Sequence, residues 1–196
     1  YKRQALNGSG RSPYGLSPEL LRRRGLTSMP RTGILSVTVP GAAAAWCDLV
    51  GRLGSMSMEE VLEAAVHYAE AGFPLSEVIA AGWGSAVEKL SRWPATRETY
   101  LPGGRPPKVG EVFRQPDLAR TLRRLAADGP ERFYTGEVAQ AVVAASEALG
   151  GCFTLRDLAE HASSWVQPIS TDYRGVELFE CPPNGQGLAA LIALNI

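Results

Sequence analysis

The chain closes on "LAALIALNI" (residues 188–196), directly after the turn "PPNGQG" (residues 182–187), and this pair restricts the fold more than any other stretch. Leu188, Leu191, Ile192 and Ile196 recur at helical spacing, which predicts an amphipathic helix whose apolar face demands a covering surface. No stop signal follows it. At the other end, "YKRQALN" reads as the middle of a strand and opens on Tyr1 without a Met. Together these ends set the expectation that the 196 residues are an excerpt of a longer polypeptide.

Between the ends, the punctuation is mostly helical. "NGSGRSPYG" (residues 7–15) predicts a tight irregular loop after the opening strand. "SPELLRRRGL" offers Ser17 as N-cap, Pro18 at the first helical position and Gly25 as the stop. "ILSVTVPGAAAAWCDLVGRLG" reads as an extended piece to Val39, a break at Pro40-Gly41, and a helix so rich in Ala that another backbone should pack closely on it. In "SMSMEEVLEAAVHYAEAGF", Ser57 and Glu60 have capping-box spacing, Met58, Val61, Leu62, Ala65, Val66 and Ala69 share a face, and Gly72 stops the helix. "SEVIAAGWGSAVEKL" continues helically, and residues 91–116, with five of the fourteen prolines, are expected as a long loop.

Helices resume in "PDLARTLRRLAADGP", where Leu118, Leu122, Leu125 and Ala126 share a face and Gly129-Pro130 ends the run. "GEVAQAVVAASEALGG" follows, then "TLRDLAEHA" with a capping box from Thr154 to Asp157. "WVQPISTDYRGVELFECPP" predicts two extended segments meeting at a turn near Asp172 to Gly175.

Residue chemistry alone excludes more than it assigns. Lys plus Arg and Asp plus Glu number 20 each, so no net field favours nucleic acid or an anionic membrane surface. No apolar run approaches the ~18 residues of a membrane span. Cys47, Cys152 and Cys181 are odd in number and far apart, which points to small buried hydrophobes rather than a disulfide frame or zinc site. His67 and His161 lack a ligand partner at suitable spacing and read as structural residues, His161 at a helix C-terminus. The glycine clusters match neither G-x-G-x-x-G nor a P-loop, and no G-x-S-x-G elbow is present. No metal or organic cofactor is implied.

The ordered blocks say more. "VPGAAAAWCDLVGRLGSMSMEEVLEAAVHYAEAGFPLS" and then "GEVFRQPDLARTLRRLAADGPERFYTGEVAQAVVAASEALGGCFTLRDLAEHASSWVQPISTDYRGVELFECPPNGQGLAALIALNI" resemble, over roughly residues 33–196, the gamma-glutamyltranspeptidase family. The resemblance implies an α/β fold, the four-layer αββα sandwich of N-terminal nucleophile hydrolases. In it, residues 1–196 would be a mainly helical segment of the large subunit with a few strands. It also implies a precursor that cleaves itself, so that a partner small subunit begins with the Thr that attacks a small-molecule amide, its own α-amine acting as base. On this expectation no catalytic residue falls within the chain. The apolar end then has partners in the continuing polypeptide.

One binding position is within reach. Family members carry "LDFRE.AP" after a strand, and its Arg clamps the substrate α-carboxylate through two charged donors. The corresponding stretch here is "LNGSGRSP", which puts Ser9 at the clamp position and Arg11 two residues away. Ser9 and Arg11 are therefore the candidate substrate-binding residues. Either Arg11 reaches the same place through a rearranged glycine loop, or the substrate differs, as in relatives that hydrolyse oxamate or cephalosporin side chains. A family-derived subunit that binds without catalysing is the alternative of another class.

Overall fold

A computed structural model describes residues 3–196; Tyr1 and Lys2 of the expected opening strand lie outside the described residues. In chain order the elements begin β1 (Ala5–Asn7), α1 (Pro18–Arg23), α2 (Ala42–Leu53), α3 (Met58–Ala71), β2 (Phe73–Pro74), α4 (Glu77–Ser85), α5 (Val87–Leu90) and α6 (Pro94–Tyr100). They continue β3 (Val112–Phe113), α7 (Pro116–Thr135), α8 (Glu137–Ala148), α9 (Leu155–Ala159), β4 (Ser164–Val166), β5 (Ile169–Tyr173), β6 (Val176–Glu180) and α10 (Gly187–Leu194). The chain divides into two compact units: residues through Ser57 together with those from Asp128 onward, and Met58–Ala127.

In the first unit, β1 pairs antiparallel with β4, in the register Ala5 to Val166, Leu6 to Trp165 and Asn7 to Ser164. β5 and β6 form a hairpin whose two-residue turn places Arg174 at φ 55° and Gly175 at φ 83°. Both central residues are left-handed, as the twist of a tight hairpin requires. The extended region after Ala162 is thus three strands rather than two: Gln167-Pro168 separates β4, which pairs with β1, from β5, which pairs with β6. α10 lies against β5 and β6, burying Leu191 to 5 % exposure while Leu188 and Ile192 stay exposed. One side of the expected apolar helix is covered.

The alanines of α2 serve the purpose their abundance suggested. Ala43 and Ala44 are buried, and a methyl group added to Gly8 would stand 2.4 Å from the Ala45 Cβ. The helix has no side-chain cap of its own at Gly41. Tyr134 supplies one: its hydroxyl accepts the Ala44 N–H at 3.1 Å and donates to the Pro40 carbonyl at 2.6 Å. Burial pushes the Tyr134 phenol above its usual pKa, so it remains a donor at any physiological pH. Tyr134→Phe should leave both backbone groups unpaired and lower stability by about 1–2 kcal/mol, or roughly 3–6 °C in the thermal midpoint. Thermal unfolding of the folded variant measures this.

The second unit has its own core of Leu62, Leu75, Leu101, Phe113, Leu122 and Leu125. Trp83 meets Phe113 edge-on at 4.7 Å and donates its indole N–H to the Tyr100 carbonyl at 2.7 Å. Of the predicted α3 stripe only Leu62 and Ala69 are buried; Val61 is exposed, since the unit covers just the ridge that those two residues form. On α7, Ala119 is buried and Leu118 is exposed.

Two local expectations need correction. Residues 91–116 are not one long loop: Pro94 and Pro102 stand at the first positions of α6 and of a 3-10 turn. At that place a missing N–H is harmless and the fixed φ helps, so proline starts helix as readily as it stops it. The remaining loop is held by Arg105, which forks onto Glu111 at 2.8 and 3.0 Å. The fork, with the Lys108 N–H, pulls the Glu111 carboxyl down to about 2. The expected stop at Gly129-Pro130 holds: α7 breaks at Gly129, which leaves helical torsions at φ 75°, and Pro130 opens a second helical run to Thr135. Finally, Ile34–Ser36 is a 3-10 turn inside the segment expected to be extended, entered through Gly33 at φ 94°.

Candidate functional site

The loop that leaves β1 is built by close backbone approach. Asn7 Oδ1 accepts the Ser9 N–H at 2.9 Å, an Asx turn that bends the chain out of the strand. A Cβ on Gly10 would stand 1.6 Å from the Val39 carbonyl oxygen, and one on Gly41 2.0 Å from that of Gly8. The Val39 N–H then donates to the Arg11 carbonyl at 3.0 Å. Two glycines thus flank an exposed Ser9 and seat the loop on the segment leading into α2.

Arg11 turns away from Ser9 toward α9. Its Nη1 donates to Asp157 Oδ1 at 3.1 Å and to the Ser12 carbonyl at 3.2 Å, and its Nη2 to the Asp157 carbonyl at 3.2 Å. The guanidinium carbon lies 3.5 Å from the centroid of the Tyr14 ring. A planar cation thus has one face on an aromatic ring, one terminal nitrogen on the Asp157 carboxylate and the other on the Asp157 main-chain carbonyl.

Asp157 is the centre of this arrangement. Its side chain is fully buried, and it accepts the Tyr14 N–H at 2.7 Å, the Thr154 N–H at 2.8 Å and the Thr154 hydroxyl at 2.7 Å as well as Arg11. Burial raises its pKa, but these donors outweigh it and hold the carboxyl below its ordinary value of 3.8. Around the rim, the Tyr14 hydroxyl donates to Glu160 at 2.5 Å, and Arg156 Nε donates to the same carboxylate at 2.7 Å. Hydrogen bonds from Tyr14 and Arg156 lower the Glu160 pKa, while the bond to Glu160 raises that of Tyr14.

The sequence located the Thr154–Asp157 capping box but not its second role. Arg11 and Asp157 are 146 residues apart, and no local signal links them. The His161 ring does not cap α9; it lies against Gly41 and 5.2 Å from the Tyr134 ring, and burial lowers its pKa so that it is neutral near pH 7. His67 is exposed and edge-on to Tyr68 at 5.6 Å. Among the described residues, no cluster of three or more His, Cys, Asp or Glu side chains is placed to hold a metal ion. No helix among them is long and apolar enough to cross a membrane.

Comparison with known proteins adds a frame to this geometry. The sequence profile of gamma-glutamyltranspeptidase matches residues 1–196. The glutathione hydrolase-like YwrD proenzyme of Bacillus subtilis is 36% identical over 191 residues, covering 97% of this chain and 36% of that protein. The oxamate amidohydrolase proenzyme of Klebsiella pneumoniae is 36% identical over 168 residues, 82% of this chain and 31% of its own length. The crystal structure of cephalosporin acylase from Bacillus halodurans superposes with a TM-score of 0.92 at 42% identity, covering 98% of this chain and 37% of the acylase. The chain spans about a third of the length of these relatives.

Proposed function

Because the chain belongs to the gamma-glutamyltranspeptidase family and has the N-terminal nucleophile hydrolase fold of that family, we propose that it is part of the large subunit of a self-processing amidohydrolase or acyltransferase. On this reading the nucleophile is the N-terminal Thr of a small subunit cut from the same precursor. Its free α-amine takes the hydroxyl proton, the hydroxyl oxygen attacks the amide carbonyl, and an oxyanion hole receives the developing charge. The amine leaves, and water or a second amine releases the acyl group. The observation that carries the reading is the continuity of the match: 191 aligned residues at 36% identity and a superposition over 98% of the chain.

This chain's part would be to line the acyl pocket with the Asn7–Pro13 loop. Ser9, between Gly8 and Gly10, holds the place where the family carries its carboxylate clamp, and Arg11 is engaged with Asp157 and Tyr14. A single hydroxyl cannot replace two charged donors, so the reading favours acyl groups that do not depend on a gamma-glutamyl head. The differing names of the relatives, glutathione hydrolase-like, oxamate amidohydrolase and cephalosporin acylase, fit a family in which this pocket varies.

The test is made on the full-length precursor. Purified protein should run as two bands on a denaturing gel. It should cleave gamma-glutamyl anilide roughly 10- to 100-fold less efficiently than the better of butyryl anilide and oxamate, because the gamma-glutamyl carboxylate enters the pocket without the charged hydrogen bonds, worth about 1.5–3 kcal/mol, that would offset its desolvation. Turnover of gamma-glutamyl anilide with the highest efficiency of the three would overturn the substrate reading. One uncleaved band with no turnover would overturn the enzyme itself and favour a binding subunit.

A further inference from the structure

We infer that Arg11 is a positioning residue that works through Asp157 to fix the Gly8–Gly10 loop, and is not a ligand for the substrate. The inference rests on the reading that this loop lines the acyl pocket. The loop has three separate anchors. At its start the Asn7 side chain holds the Ser9 N–H; in its middle Gly10 sits on the Val39 carbonyl and the Arg11 carbonyl accepts the Val39 N–H; at its end the Tyr14 N–H is held by Asp157. Arg11 alone spans the last two anchors, its backbone on Val39 and its side chain on Asp157.

The geometry also shows why Arg11 is poorly placed to grip an acyl head. The outer edge of its guanidinium is engaged by Asp157 and the Ser12 carbonyl, and its flat face by Tyr14. For this edge to meet a substrate carboxylate, the bond to a fully buried Asp157 would have to break. Asp157 would lose its one formally charged partner among these contacts, and the loop would lose an anchor as the ligand arrived. A guanidinium held in this way supports the loop beneath Ser9 and leaves the Ser9 hydroxyl as the side chain exposed between the two glycines.

A ligand and a support predict different patterns across substrates. A ligand contributes only to acyl groups that carry a carboxylate. A support contributes to every acyl group that the loop touches. The experiment compares Arg11→Ala, Asp157→Asn and the double variant in the self-processed full-length enzyme, using glutaryl anilide, which has a terminal carboxylate, and butyryl anilide, which lacks one.

The expected result is a KM increase of roughly tenfold for both anilides in each single variant, with kcat within about twofold, as for lost uniform binding. The glutaryl-to-butyryl ratio should hold within about twofold, and the double variant should be no worse than Asp157→Asn alone, since one linkage is being cut twice. Hydrogen exchange of the peptide covering residues 7–16 should be faster in both single variants. It reports the position of the loop independently of turnover and remains readable in Arg11→Ala if Asp157→Asn does not fold. A selective loss of glutaryl anilide in Arg11→Ala, or unchanged exchange in that variant, would overturn the inference while leaving the enzyme reading intact. Wild-type protein that cleaves no amide at all counts against that reading, and this inference goes with it.

Discussion

Gly10→Ala is expected to lower the thermal midpoint by about 6–12 °C, corresponding to roughly 3 kcal/mol of overpacking strain. The added methyl carbon would stand 1.6 Å from the Val39 carbonyl oxygen, 2.6 Å from its carbonyl carbon and 3.1 Å from its Cα. All three atoms are backbone, and Val39 is itself 1 % exposed, so no flexible side chain can swing aside. Relief requires the loop to lift off Val39, which breaks the bond from the Val39 N–H to the Arg11 carbonyl. Gly51→Ala is the control. Gly51 lies inside α2 with nothing within 4 Å of the added carbon, so the change should leave the midpoint unaltered or raise it by the difference in helix propensity, about 0.5–1 kcal/mol. A Gly10→Ala variant that melts with wild type would mean that the loop does not rest on Val39. On the proposed function, acyl-donor affinity should fall with stability, because the same displacement would move Ser9.

Asp157→Ala is expected to be the most damaging single change at a polar residue, lowering stability by about 3 kcal/mol or more. Four donors converge on this carboxylate, and its removal strands the Tyr14 and Thr154 N–H groups in a place where the side chain had no solvent contact. The same group makes the protein sensitive to acid, with a definite sign. Its folded pKa lies below the ordinary 3.8, so its contribution is complete above that value and is lost as the pH falls through the folded pKa. Urea midpoints for wild type and Asp157→Asn should therefore differ by a constant amount near neutrality and converge below about pH 3.8. Curves that stay parallel to the lowest accessible pH would show that the carboxylate is not held as described.

These two residues also mark where the sequence is and is not informative. Gly10 is visible in "NGSGRSP" as part of a loop, and the turn chemistry of Asn7 and the glycines predicts a sharp bend. Nothing in the stretch says that the bend rests on Val39. Asp157 is visible as the closing residue of a helix-opening box, and the structure has that box. Its bond to Arg11 cannot be read, because the two residues are 146 positions apart and meet only once the chain between them has folded. Local grammar fails elsewhere for a related reason: the proline content of residues 91–116 predicts a loop, whereas Pro94 stands in the first turn of α6, a place that proline also favours. Whether it begins or ends one depends on what the following residues can pack against.

By itself the sequence determined most of the helical segments and where they begin, α6 being the exception, and the family to which the chain belongs. Ser17 at the start of α1, Gly25 at φ 74° beyond its end and the Arg174-Gly175 hairpin turn are decided by backbone torsions and neighbouring N–H groups, all within a few residues. Tertiary structure alone decided that Arg11 faces Asp157 and Tyr14 rather than Ser9. A guanidinium can bond to any carboxylate it meets, and which one it meets is settled when the loop after β1 and the start of α9 are buried together.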